Sequence, residues 1–237
     1  MPTIIYEDDN ILAINKPANL LVHPTQAGIF NFQFPISKQI PNSKFQIPNS
    51  DEKTLIDWLL KKYPEIKKVG DEPTLRPGIV HRLDKETSGV LIVAKNQKTF
   101  EFLKKQFQER KVKKAYIALV KGKIQKPKGK IDTPIKRFTK TREAETEYEV
   151  IKRFEGYTLL RVSPKTGRTH QIRIHLKSIG HPVVCDKLYT KKPHCPFGLK
   201  RHFLHASSLE LTLPDNARIK IDANMPEDLQ QALKSLK

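Results

Sequence analysis

Apolar and polar positions fall into short blocks along this chain, and the blocks follow two periods. IIYE (4–7) and ILAIN (11–15) flank an Asp-Asp-Asn triplet and stop at Pro17, the pattern of two short strands around a turn. A helical period takes over in TLIDWLLKKYPEI, with Leu55, Trp58 and Leu59 on one face and Thr54 placed to cap the N-terminus. GVLIVAKN (89–96) is a continuous apolar run, as in a strand buried on both faces. QKTFEFLKKQFQERK (97–111) returns to helical spacing, with Phe100, Leu103 and Phe107 inside and lysines outside. KKAYIALVKG (113–122) predicts a strand, KIQKPKGKI (123–131) a basic loop, and TEYEVIKRFEGYTLLRVSP (146–164) an antiparallel hairpin turning at Glu155-Gly156. TGRTHQIRIHLKSIGHP predicts a helix that Thr169 caps and that stops at Gly180, before Pro182. RHFLHASSLELTLP (201–214) reads as a last strand and PEDLQQALKSL (226–236) as a terminal helix. Strands and hairpins interspersed with a few helices indicate an α+β fold with a largely antiparallel sheet.

One stretch breaks both periods. Residues 26–50 carry IPNS twice, at 40–43 and 47–50, and sustain neither pattern. A single imperfect duplication cannot stack into a repeat fold, so these residues are expected to form a flexible inserted loop. The 237 residues otherwise suit one domain with its own core.

Charge narrows the function. The chain has 44 Lys and Arg against 25 Asp and Glu, a formal charge of +19, which points to a polyanionic partner whose neutralised phosphates release counterions. MPTIIYEDDN carries acids and no long apolar segment, unlike a signal peptide. The longest apolar run, VLIVA (90–94), is far short of the roughly 20 residues that span a bilayer. A cytoplasmic protein, binding no membrane, is expected. Cys185 and Cys195 make no disulfide framework in a chain of this size.

Several chemistries lack their residues. His170, His175 and His181 lie near Cys185, and His194 adjoins Cys195, but none has the His-x-x-x-His or Cys-x-x-Cys spacing of a zinc site. No Gly-x-x-x-x-Gly-Lys loop, dinucleotide fingerprint or nucleophile elbow occurs, so no metal and no cofactor is implied. Asp84 remains, in IVHRLDKETSG (79–89), two residues after Arg82 and beside Lys85. Neighbouring cations favour an ionised carboxylate, which suits a nucleophile better than a general acid; a plain salt bridge is the competing reading. Tyr116 alternates with Ile117 in its strand, so it faces away from it. Arg168 and Arg173 flank Thr169, His170 and Gln171 at a helix start, where anions bind.

Taken in order and spacing, NKPANLLVHP, RPGIVHRLDKETSGVLIVAK, KKAYIALVKG, TGRTHQIRIHLKSIGHPVVCDKLY and LHASSLEL resemble the RluA family of RNA pseudouridine synthases. The likeness covers most of the chain outside 26–50. It departs in that longer segment and in Cys185, where the family usually has Gly; a form without the S4 domain that many members carry before the catalytic part is expected. The resemblance implies the pseudouridine synthase catalytic fold with a central RNA-binding cleft. It further implies an isomerase that moves a uridine's bond to C1′ from N1 to C5 without cofactor, in rRNA or tRNA; a monomer is expected. Asp84 is then the catalytic aspartate, Tyr116 stacks on the target base, and Arg173 pairs with Asp84. His81, Arg82, Arg168, Ile172, Lys113 and Lys114 would contact the RNA or the flipped base. Two other classes compete: a non-catalytic RNA-binding or ribosome-assembly protein on the same fold, and a small-molecule nucleoside hydrolase, which the charge disfavours.

Overall fold

A computed structural model describes residues 1–23, 53–137, 139–191 and 195–236. The expected loop at 26–50 and His194 lie outside these residues. β1 (Thr3–Glu7) and β2 (Ile11–Lys16) pair as a hairpin, and β3 (Ser88–Ala94), buried along its length, pairs antiparallel with β2. Between them α1 (Leu55–Lys62) starts in a capping box: the Thr54 hydroxyl accepts from the Asp57 amide while the Asp57 carboxylate accepts from the Thr54 amide. α2 (Gln97–Gln108), capped by Asn96, packs on β3 with Phe100 and Leu103 buried.

β4 (Lys113–Lys121) carries Tyr116, and β5 (Lys128–Ile131) rises from the stretch read as a basic loop. The backbone of residues 128–131 pairs in register with β8 (Thr146–Phe154), so ladder hydrogen bonds override a sequence with little strand preference. β6 (Ile135–Arg137) and β7 (Lys140–Arg142) form a separate two-stranded hairpin. β8 and β9 (Tyr157–Pro164) make the expected hairpin, with Gly156 at positive φ in its turn. α3 (Gln171–Ser178) follows, then β10 (Leu204–Thr212), β11 (Arg218–Asp222), which the periodicity did not predict, and α4 (Glu227–Lys234).

The main sheet runs β1-β2-β3-β10-β4-β9-β8-β5, with β11 added to β10. Every pairing is antiparallel except β3 with β10. That one parallel contact matters for the site, because it lies directly after the Asp84 loop. Gly89 has φ +121 there, and a Cβ would collide with the Ala206 carbonyl of β10, so only glycine admits this approach. Three apolar clusters hold the layers: one joins β1–β3 to α1 and α2, one seats α3 on Leu160 and Val162, and one seats α4 on Leu119 and Phe203. The fold is α+β, a mixed and largely antiparallel sheet flanked by helices.

Two expectations need correcting. Thr169 does not cap α3; the N-cap is His170, in the left-handed conformation at φ 55, with no side-chain cap bond. The segment is instead braced by buried Gln171, whose oxygen accepts from the Arg168 amide and the Thr166 hydroxyl and whose amide donates to Glu145 and Thr146. The cysteines, expected to form no disulfide framework, form a single bridge with their Cα atoms 4.4 Å apart. Cys185 has left-handed backbone, at φ 59, and its bridge partner is ten residues on.

Candidate active site

A cleft of about 680 Å³ opens over the start of β4, between the 79–84 loop with α2 on one side and residues 164–173 on the other. It gathers Asp84, Tyr116, Arg173, Arg82, His81, Arg168, Ile172 and Lys114 from separate parts of the chain. Lys113 is absent from the lining. It points to the other face of β4, where its ammonium lies 3.2 Å from Glu210, because neighbouring strand residues project to opposite sides.

Asp84 sits at the turn before β3 with its side chain 21 % exposed. One carboxylate oxygen accepts from Arg173 Nη1 at 3.2 Å; the other is 3.7 Å from His170 Nε2. Burial lowers the His170 pKa against the opposing charge of Asp84. Tyr116 lines the same cleft, and burial together with the Asp84 charge raises its phenol, so the hydroxyl keeps its proton at neutral pH. Ile172, in the first turn of α3, gives the cleft an apolar wall.

The cations of the rim differ in freedom. Arg82 is exposed and donates to His23 at 3.2 Å, whereas Arg168 is tied through Nε to the Glu143 carbonyl. Lys114 donates to the Thr166 carbonyl, and burial with nearby Arg110 lowers its pKa to about 8. His81 is committed to the scaffold. Its ring stacks on Phe107 at 4.7 Å, its Nε2 accepts from the Ile92 amide, and burial with nearby Lys114 lowers its pKa to about 3, leaving it neutral.

Residues not singled out from sequence complete the arrangement. Asp186 accepts Arg173 Nε at 2.7 Å and Nη2 at 2.8 Å, and Tyr189 lies 5.1 Å beneath the guanidinium while its hydroxyl meets His170 at 2.8 Å. The signal for Asp186 was a lone acid closing the apolar run PVVC, since a buried carboxylate needs a cation. Behind Asp84, four buried basic side chains grip the next four residues. Lys16 donates to the carbonyls of Pro17, Leu20 and Lys85, and Arg201 to the Glu86 carbonyl, the Ser88 hydroxyl and Asp228. His202 reaches Thr87 at 2.9 Å and lies 3.2 Å from the Glu86 carboxylate; His205 reaches Ser88 at 2.9 Å. Among the described residues, no group of three His, Cys, Asp or Glu could hold a metal ion. The arrangement places a carboxylate open to the cleft with an aromatic ring in the same lining, inside a cationic rim.

The RNA pseudouridylate synthase family model matches residues 10–178, and the chain belongs to that family. The resemblance to RluA-type synthases is borne out by this match and by relatives named ribosomal large subunit pseudouridine synthase D. It is 45% identical to an uncharacterized RNA pseudouridine synthase of Aquifex aeolicus over 78% of this chain and 55% of that protein. It is 38% identical to the ribosomal large subunit pseudouridine synthase D of Nitrosomonas europaea over 99% of this chain and 65% of that one. The chain thus spans between half and two thirds of these relatives. In fold it matches human RNA pseudouridylate synthase domain containing 4, with a TM-score of 0.71 at 22% identity over 99% of this chain and 93% of that one. No helix among the described residues is long and apolar enough to cross a membrane.

Proposed function

We propose that this protein is an RNA pseudouridine synthase, one catalytic domain over residues 1–237 that isomerises uridine within structured RNA. The observation that carries the reading is the Asp84 carboxylate, held by one N–H of Arg173 and open to the same cleft as Tyr116. A paired uridine hides C1′ and its ring, so the base must leave its stack at a cost of roughly a few kcal/mol. Stacking on the Tyr116 ring returns about 1–3 kcal/mol of that. The basic rim, with Arg82, Arg168 and Lys114, supplies sequence-independent affinity for the flanking phosphates.

The reaction follows from the charge of the carboxylate. Asp84 either adds to the uracil ring or assists departure of uracil at C1′, and both need the anion rather than the acid. The N1–C1′ bond breaks, the base turns against Tyr116 and Ile172, and C5 bonds to C1′. C5 then loses its proton while N1 gains one, so the product is an isomer of the substrate and no co-reactant is consumed. Arg173 keeps the carboxylate aimed throughout. Large-subunit ribosomal RNA is the first substrate to test, since relatives bear it in their names, and transfer RNA is the second. The reading includes action as a monomer in the cytoplasm.

Pseudouridine mapping of ribosomal and transfer RNA, with and without the gene, tests the proposal. A uridine that loses modification in the deletion, and is restored by wild type but not by Asp84→Asn, supports it. An unchanged map, with the protein still bound to RNA, favours a binding protein on the same fold.

A further inference from the structure

Arg173 answers to two carboxylates, and it treats them unequally. Asp186 takes the edge of the guanidinium formed by Nε and Nη2, at 2.7 and 2.8 Å, and Asp84 receives only Nη1, at 3.2 Å. The two-point edge contact is the geometry a guanidinium and a carboxylate most favour. It is fixed from below as well. The Asp186 oxygen that faces Nη2 also accepts the amides of Leu188 and Tyr189, at 3.0 and 3.1 Å, and the Tyr189 ring lies under the guanidinium. Asp186 is 1 % exposed and Arg173 7 %, so this pair is buried while Asp84 stays open to the cleft.

Consider the arginine without that anchor. The remaining carboxylate within reach is Asp84, and the favoured contact would be the same two-point fork. Both Asp84 oxygens would then be tied to nitrogen, and the one positive charge would be spent on the one negative charge. With Asp186 present, one cation is shared by two anions, and the group keeps a net negative charge at the cleft.

We propose that Asp186 is a positioning residue: it withholds the fork of Arg173 from Asp84, leaving the Asp84 carboxylate a single N–H and its reactivity toward the substrate. The inference rests on the synthase reading, and Asp186 acts through Arg173 without touching substrate. It separates two tasks that one salt bridge would merge, since the arginine orients Asp84 without neutralising it.

The test uses the full chain and [5-³H]uridine-labelled transcripts of large-subunit ribosomal RNA and transfer RNA, in which bonding at C5 releases tritium. Release by wild type is the reference; none on any transcript would overturn the synthase reading itself, and this inference with it. With wild type active, folded Asp186→Asn is expected to lose about a hundredfold in kcat, with KM and RNA affinity within threefold. An unchanged kcat, or a loss confined to KM, would overturn the positioning role alone. Should Asp186→Asn not fold, Asp186→Glu decides: it keeps the charge but moves the carboxylate by one methylene, tilting the guanidinium. A fall in kcat of about tenfold or more supports the inference, and activity within threefold of wild type overturns it.

Discussion

Two sets of basic side chains meet the Asp84 loop from opposite sides, and they differ first in burial. Behind it stand Lys16, Arg201, His202 and His205, all buried and each bonded to residues 85–88. In front stand Arg82, Lys114 and Arg168, around an open cleft. A buried ammonium or guanidinium survives only where its donors are matched, so the rear set fixes main chain. The front set lines the open cleft, and in the proposed reading it meets the phosphates of the RNA. The chain's +19, which counts histidine as neutral, includes Lys16 and Arg201 as well as the cations of the cleft, and composition alone cannot tell buried from open ones.

The comparison breaks most visibly at Lys16. Its three N–H groups meet three carbonyls, and Lys16→Met strands all of them at about 1–3 kcal/mol each before relaxation. We expect a loss of about 3 kcal/mol or more in urea unfolding, and reduced activity, because the Lys85 carbonyl next to Asp84 is released. A stable, fully active variant would show that the rear set does not hold the loop.

Arg82→Ala should do the reverse. RNA affinity falls about tenfold, equivalent to about 1.4 kcal/mol, while unfolding stability stays within about 0.5 kcal/mol. Filter binding and urea unfolding on one preparation separate the two effects. A smaller change is expected at Lys114, whose pKa lies near 8 because it is half-buried and near Arg110. Below that value it is a cation and above it neutral, so raising the pH from 7 to 9 should weaken RNA binding and reduce the salt slope by about one. Lys114→Met should abolish that pH dependence. Smallest of all is Lys128→Ala. It breaks an exposed pair with Glu149 at the far end of the sheet, and stability should stay within about 0.5 kcal/mol.

These cases also show what the sequence could reveal. The β8–β9 hairpin, the capped α1 and the apolar stripe of α2 were legible because each is specified by neighbours a few residues apart. Asp84, Tyr116 and Arg173 were each singled out locally, but that they line one cleft was expected only through the family resemblance, since residues this far apart in the chain have no local signature of contact. The rear set was missed because a lysine before Pro17 reads as a strand end, and Arg201 and His202 read as the polar entry to β10. Their partners in residues 85–88 lie more than 60 residues away, and burial is a property of the whole packing. Asp186 escaped because its burial, too, depends on the whole packing, although Arg173 is only 13 residues away. Lys113 and Lys114 were treated alike, yet strand alternation sends one to Glu210 and the other to the cleft. The short strand β5 has almost no apolar pattern and exists because β8 offers it a ladder.

The central claim is that the open carboxylate between these two basic sets does chemistry. Its most direct measurement is tritium release from [5-³H]uridine-labelled large-subunit ribosomal RNA by wild type and Asp84→Asn, with RNA affinity measured on the same preparations. The account predicts that release falls at least ~10⁴-fold while affinity stays within threefold. Release that survives the substitution, or affinity lost in proportion to it, would contradict a catalytic role for Asp84.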